Sequence, residues 1–215
     1  MRKDLTELVF IMDMSGSMQN LTEDTIGGFN SILENQKELP GEAYVTTVLF
    51  NNTASFFHDR VPIKDVPKLT QNEYIPKGAT ALLDSLGGAI EHIQTIHKYS
   101  REEDIPEKTL FVVTTDGLEN ASRKYTAQEV KLLVAKTREE GWEFLFLGAD
   151  IDSFETAARL NFDPSRVTSY VKTSEGETVK SRAVGNAVRQ IRVEKRISPD
   201  WKTEADEYYN KIQQT

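Results

Sequence analysis

Apolar and polar residues come in blocks along this chain, and the blocks have two different periods. Leu8-Val9-Phe10-Ile11-Met12 is an unbroken apolar run rich in β-branched and aromatic residues. It predicts a short strand buried on both faces, as in a parallel sheet. From Leu21 to Lys37 the apolar residues Leu21, Ile26, Phe29, Ile32 and Leu33 recur at helical spacing, and Pro40-Gly41 ends that helix. Tyr44 to Phe50 is a second strand. Asn51-Asn52 is a turn signal before a third, Ala54 to Val61, and two strands so close imply a hairpin with one antiparallel edge. After a proline-containing loop, Pro62 to Gly78, a helix is expected from Thr80 to Lys98, with Leu82, Leu83, Leu86, Ile90, Ile93 and Ile96 inward. Leu110 to Thr115 is another buried strand, Thr126 to Glu140 a helix closed by Gly141, and Phe144 to Leu147 a strand. Ser153 to Leu160 reads as a short helix, Val167 to Val171 as an edge strand, and Ser181 to Lys195 as the final helix.

Strands separated by helices predict βαβ crossovers. The fold class is therefore α/β: a doubly wound, mostly parallel central sheet with one antiparallel edge strand and helices on both faces. One domain is expected over residues 1–196, followed by a polar tail, 197–215, that opens with Ser198-Pro199 and forms at most a short docked helix.

The chemistry begins where the first strand stops. Asp13, Ser15 and Ser17 follow it at every second position, with Gly16 between the serines to permit a sharp turn. A carboxylate and two hydroxyls at the carboxyl end of a buried strand are hard oxygen donors, suited to Mg²⁺, Mn²⁺ or Ca²⁺ rather than zinc. In a doubly wound sheet ligands bind at the carboxyl ends of the strands, near a topological switch point. Two other segments reach that edge. The strand ending Thr114-Thr115 delivers Asp116-Gly117, and the loop Lys77-Gly78-Ala79 delivers Thr80 ahead of its helix. Asp13, Ser15, Ser17, Thr80 and Asp116 would supply two carboxylates and three hydroxyls. One divalent ion would balance the two charges and still attract an outside anion. Without it, repulsion between the carboxylates is expected to raise the pKa of one of them.

The 215 residues carry a formal net charge of −8, spread along the chain, which argues against a default nucleic-acid binder. There are no cysteines, so disulfides, thiolate metal sites and a cysteine nucleophile are excluded. No apolar run approaches the length of a signal h-region or a membrane span. A soluble, cytoplasmic protein is the expectation. His58, His92 and His97 are scattered, the last two five apart rather than at the i, i+4 spacing of a helical metal pair, and read as surface or core. Arg182, Arg189, Arg192, Lys195 and Arg196 read as a solvated helix face. Asp84 is either a carboxylate holding Ser15 or Thr80 or another solvated position, and Asp150 is a loop aspartate near the same edge.

Asp13-Met14-Ser15-Gly16-Ser17 resembles the Asp-x-Ser-x-Ser signature of von Willebrand factor A-type (vWA) domains, and Thr80 and Asp116-Gly117 fall where that family has its threonine and second aspartate. The order of elements agrees over roughly residues 5 to 195. The sequence is most similar to intracellular bacterial and phage vWA proteins at Gly78-Ala79-Thr80-Ala81-Leu82-Leu83-Asp84 and Thr115-Asp116-Gly117-Leu118-Glu119-Asn120. The resemblance implies a metal-ion-dependent adhesion site at the five residues. It also implies a protein partner whose Glu or Asp completes the shell; the charge, the short apolar runs and the lack of a nucleophile and base pair add the expectation of no nucleic acid, no membrane and no enzymatic activity. A Mg²⁺-dependent phosphoryl-transfer enzyme is the alternative. The haloacid-dehalogenase-like pattern, however, needs a second acidic residue two positions after the first, where this chain has Ser15. No Gly-x-x-x-x-Gly-Lys loop is present to cradle phosphates. A purely structural domain is the third reading.

Overall fold

A computed structural model describes residues 1–149 and 153–214; Asp150 lies outside the described residues. Six strands among them form one sheet in the order β3-β2-β1-β4-β5-β6. These are β1 (Arg2–Asp13), β2 (Glu42–Phe50), β3 (Ala54–Pro62), β4 (Pro106–Thr115), β5 (Glu143–Gly148) and β6 (Val167–Ser169). Only β3 runs antiparallel, paired with β2 at one edge. The chain winds outward from β1 through β2 in one direction and from β4 through β5 to β6 in the other, so the switch point lies between β1 and β4.

The period of two along each strand sorts the core. Leu8, Phe10 and Met12 of β1, with Leu110 and Val112 of β4, face α1 (Thr22–Lys37) and α5 (Ser174–Val193). Val9, Ile11, Phe111 and Val113 face α2 (Leu82–Tyr99), α3 (Ala127–Glu139) and α4 (Ser153–Arg159). Each central strand is thus apolar on both sides, which is why it reads as an unbroken run. The expected fold class is the one observed.

Two boundaries differ from the sequence expectation. First, β1 starts six residues before the apolar run, because β2 and β4 flank it along its length and take in polar positions. Glu7 is fully buried there, with Arg60 Nε 2.9 Å and His97 Nε2 3.5 Å from its Oε2. Second, α5 begins at Ser174 rather than Ser181. Thr173 caps it by accepting the Gly176 N–H at 3.1 Å. The two added turns bury Glu177 and Lys180 as an ion pair 2.5 Å apart, so their polar sequence hides an inward face. The tail holds a docked helix, α6 (Thr203–Gln213), one of the two forms the sequence allowed. Trp201 just before it is buried, its indole N–H donating to the Ser165 carbonyl at 2.9 Å.

The basic residues near the end are not one solvated face. Arg192 is buried, and its guanidinium donates to the Gln36 carbonyl at the end of α1 and to the Gly41 carbonyl at 3.1 Å. It closes a helix C-terminus whose carbonyls lack intrahelical partners. Arg182 pairs with Glu204 and Arg189 with Glu194, leaving no continuous positive stripe. Among the described residues no helix is long and apolar enough to cross a membrane.

Candidate metal centre

Asp13 ends β1 and Asp116 follows β4, so the two carboxylates sit side by side at the switch point. Asp13 is buried and fully engaged. Its Oδ1 accepts the Ser15 N–H at 2.8 Å, and its Oδ2 accepts the Thr115 hydroxyl at 2.6 Å. The first bond closes an Asx turn that aims the following residues back over the strand end. The Ser15 and Ser17 hydroxyls lie 3.0 Å apart, and Ser17 Oγ donates to Asp116 Oδ1 at 2.6 Å, with Ser15 Oγ 3.4 Å from the same oxygen. Four of the five expected residues therefore converge within hydrogen-bonding distances.

The fifth, Thr80, arrives on a loop held at both ends. Gly78 has φ +76°, and a side chain there would collide with Asn52 Oδ1, which accepts the Ala79 N–H at 3.0 Å. The Gly78 carbonyl accepts the Gly16 N–H at 3.1 Å, tying this loop to the serine turn. Gly16 itself lies outside the left-handed region and contributes close approach rather than an unusual φ. Thr80 is buried, and its backbone bonds Asn120 in both directions, accepting from its N–H at 3.0 Å and donating to its side chain at 2.9 Å. Its hydroxyl makes no hydrogen bond among the described residues and lies against Gly117, 3.4 Å from where a Cβ on that glycine would stand.

Helix α2 starts at Leu82 rather than at Thr80, so Thr80 does not cap it. Glu119 does part of that work: it accepts the Leu83 N–H at 2.8 Å while also accepting the N–H groups of Ala121 and Ser122. Asp84 holds neither Ser15 nor Thr80, and it is not merely solvated. Its carboxylate takes the backbone N–H groups of Arg123, Lys124 and Tyr125 at 2.8–3.0 Å, which lowers its pKa against the opposing effect of burial. Tyr74 is a further participant the motif does not announce. Its buried hydroxyl donates to the Asp13 carbonyl at 2.5 Å from 61 residues away. The histidines stay apart from the site: His58 bonds Thr47, His92 bonds Asp59 and His97 reaches Glu7.

The electrostatics refine the expected repulsion. Asp13 has a raised pKa, chiefly from burial; neighbouring hydrogen bonds oppose this, and Asp116 contributes the smallest upward push. Asp116 Oδ2 is buried and receives no hydrogen bond among the described residues. The charge against it is Lys172, whose ammonium is 2.7 Å away in ion-pair contact without hydrogen-bond alignment. A buried anionic oxygen without a donor is unfavourable unless a cation neutralises it. Among the described residues no cluster of three or more His, Asp or Glu forms a metal site. This one rests on two carboxylates plus hydroxyls, a donor set that fits a hard divalent cation.

The sequence matches no family model and no curated protein. Solved structures are similar in fold. Proximal thread matrix protein 1 from the mussel byssus, in a form with a zinc-occupied metal-ion-dependent adhesion site, gives a TM-score of 0.55 at 15% identity over 86% of this chain and 46% of that one. A von Willebrand factor type A protein from Catenulispora acidiphila gives 0.56 at 14% identity over 87% of this chain and 43% of that one. The vWF domain of the type V pilus tip protein from Porphyromonas gingivalis gives 0.58 at 11% identity, covering 83% and 94%. This chain spans less than half the length of the first two. With the switch-point geometry, these likenesses establish that the chain has the von Willebrand factor A-type fold.

Proposed function

We propose that this chain is a binding module that grips a protein partner through a divalent cation held by Asp13, Ser15, Ser17, Thr80 and Asp116. The observation that carries the reading is the convergence of the Ser15 and Ser17 hydroxyls on Asp116, beside Asp13 at the switch point, around a buried Oδ2 that lacks an aligned donor. The zinc-occupied site of the mussel protein supports a divalent ion in this fold. The all-oxygen donor set favours Mg²⁺ or Mn²⁺ here. Five protein donors, two of them charged, leave an octahedral ion one position, and a Glu or Asp of the partner suits it. The ion would supply a positive charge in a recess, where salt screens it less than on open surface.

Among the described residues no histidine pairs with the Ser15 or Ser17 hydroxyl, whose bonds go to each other and to Asp116, and Ser15 stands where an acid-base carboxylate would be needed for phosphoryl transfer. A non-enzymatic role fits these features. Capture of partners from the source cells with and without EDTA tests the reading. Partners should elute with EDTA, and an amide substitution of one partner acidic residue should abolish recapture. Capture that survives EDTA and every acidic substitution would place the contact elsewhere.

A further inference from the structure

The proposed ion is not the only cation aimed at Asp116. Lys172 belongs to the turn between β6 and α5, and that turn is firmly built. The Tyr170 N–H donates to the Gly148 carbonyl at 2.9 Å, the Thr173 N–H donates to the Val171 carbonyl at 2.8 Å, and Thr173 caps α5. A side chain at Gly176 would overlap the Val171 carbonyl, so the helix start and the turn fit closely. From this base the Lys172 side chain, partly exposed, reaches a fully buried Asp116 carboxylate. Of the 26 lysines and arginines in the sequence, the fold puts this one's charge on the oxygen that the serine hydroxyls leave free.

We propose that Lys172 is an affinity-determining residue that competes with the divalent cation for Asp116, an inference that rests on the metal-site reading above. With Lys172 in contact, the two carboxylates and the ammonium sum to −1. An ion of charge +2 entering among Asp13, Ser15, Ser17 and Asp116 comes within a few ångströms of that ammonium and repels it. Binding therefore includes withdrawal of Lys172 into solvent, which its partial exposure permits. Two consequences follow. Lys172 sets a threshold concentration that the ion must exceed, and it discriminates by valence, because a monovalent ion gains no charge advantage over the ammonium it displaces.

The test is Mn²⁺ titration of the intact chain by calorimetry, for the native sequence, Lys172→Met and Lys172→Arg, with Asp13→Asn as the site control. The dissociation constant should fall at least fivefold in Lys172→Met and stay within about twofold in Lys172→Arg. Labelling of Lys172 by an amine-reactive reagent should rise several-fold at saturating Mn²⁺. Native protein and Lys172→Met binding with equal affinity, or labelling that does not rise, would overturn the role of Lys172 while leaving the metal site standing. No Mn²⁺ binding by any variant would overturn both. Binding by Lys172→Met alone would support the competition in its strongest form.

Discussion

Replacing Asp13 by Asn separates the proposed metal-ligand role from that of a structural hub, because the local hydrogen bonds can survive the change. The amide oxygen still accepts the Ser15 N–H. The Thr115 hydroxyl, 3.1 Å from the Gly117 carbonyl, can turn to donate there and accept from the new amide NH₂. Only the long 3.4 Å contact from the Asp116 N–H is lost, at a cost of about 1 kcal/mol or less. Against that stands the ionised carboxylate of the native protein. Burial holds its pKa above the ordinary 3.8, so stability is lost as pH rises through the folded-state pKa, and the amide carries no such cost at pH 7. In EDTA the variant should therefore melt at or slightly above the native temperature. With Mg²⁺ at about 100 times its dissociation constant for the proposed site, the native protein should gain about 2.7 kcal/mol by mass action. At about 2–4 °C per kcal/mol for a chain of this size, its melting temperature rises by about 5–11 °C. Asp13→Asn should show no such rise. Scanning calorimetry in EDTA and in Mg²⁺ reads both arms. Equal Mg²⁺ increments in the two proteins, or a variant several degrees less stable in EDTA, would refute the reasoning.

Other expectations follow from particular contacts. Trp201→Ala should cost about 3–5 kcal/mol in urea unfolding, since it empties a buried indole site and leaves the Ser165 carbonyl without its donor; a loss under 1 kcal/mol would mean that α6 is not part of the folded unit. His58 is buried and its pKa is lowered, chiefly by burial, so its contribution is present above the ordinary 6.5 and is lost as pH falls through the depressed folded value. Stability should decline below pH 6.5 by at most about 1.4 kcal/mol per pH unit from this group, and His58→Gln should flatten that slope in urea melts at pH 7.5 and 5. Glu119→Ala removes the acceptor for three backbone N–H groups and should speed hydrogen exchange at Leu83, Ala121 and Ser122, with little change at β1 amides. Thr80→Ala should weaken partner capture more than Mn²⁺ affinity, whereas Asp116→Ala should weaken both.

The sequence by itself determined the sheet, because strands apolar on both faces have to lie between two helical layers and their order admits few windings. It also determined where most of the candidate site residues lie. Asp13, Ser15, Ser17 and Asp116 lie directly at strand ends, where position along the chain fixes position in space. What only the tertiary structure decided depends on distant partners. Tyr74 lies in an irregular loop with no periodicity to mark it, yet its hydroxyl holds the Asp13 carbonyl. The first two turns of α5 look polar until Glu177 and Lys180 are seen to neutralise each other inside. Arg192 reads as solvent-facing charge because nothing local reveals the carbonyls of Gln36 and Gly41 that it meets. Lys172, 56 positions beyond Asp116, carries no motif at all; its meaning comes from the turn that points it at a buried carboxylate. Charges and hydroxyls near the end of a strand are placed by local geometry, whereas groups brought together by folding acquire their roles only from the burial and pairing that the fold imposes.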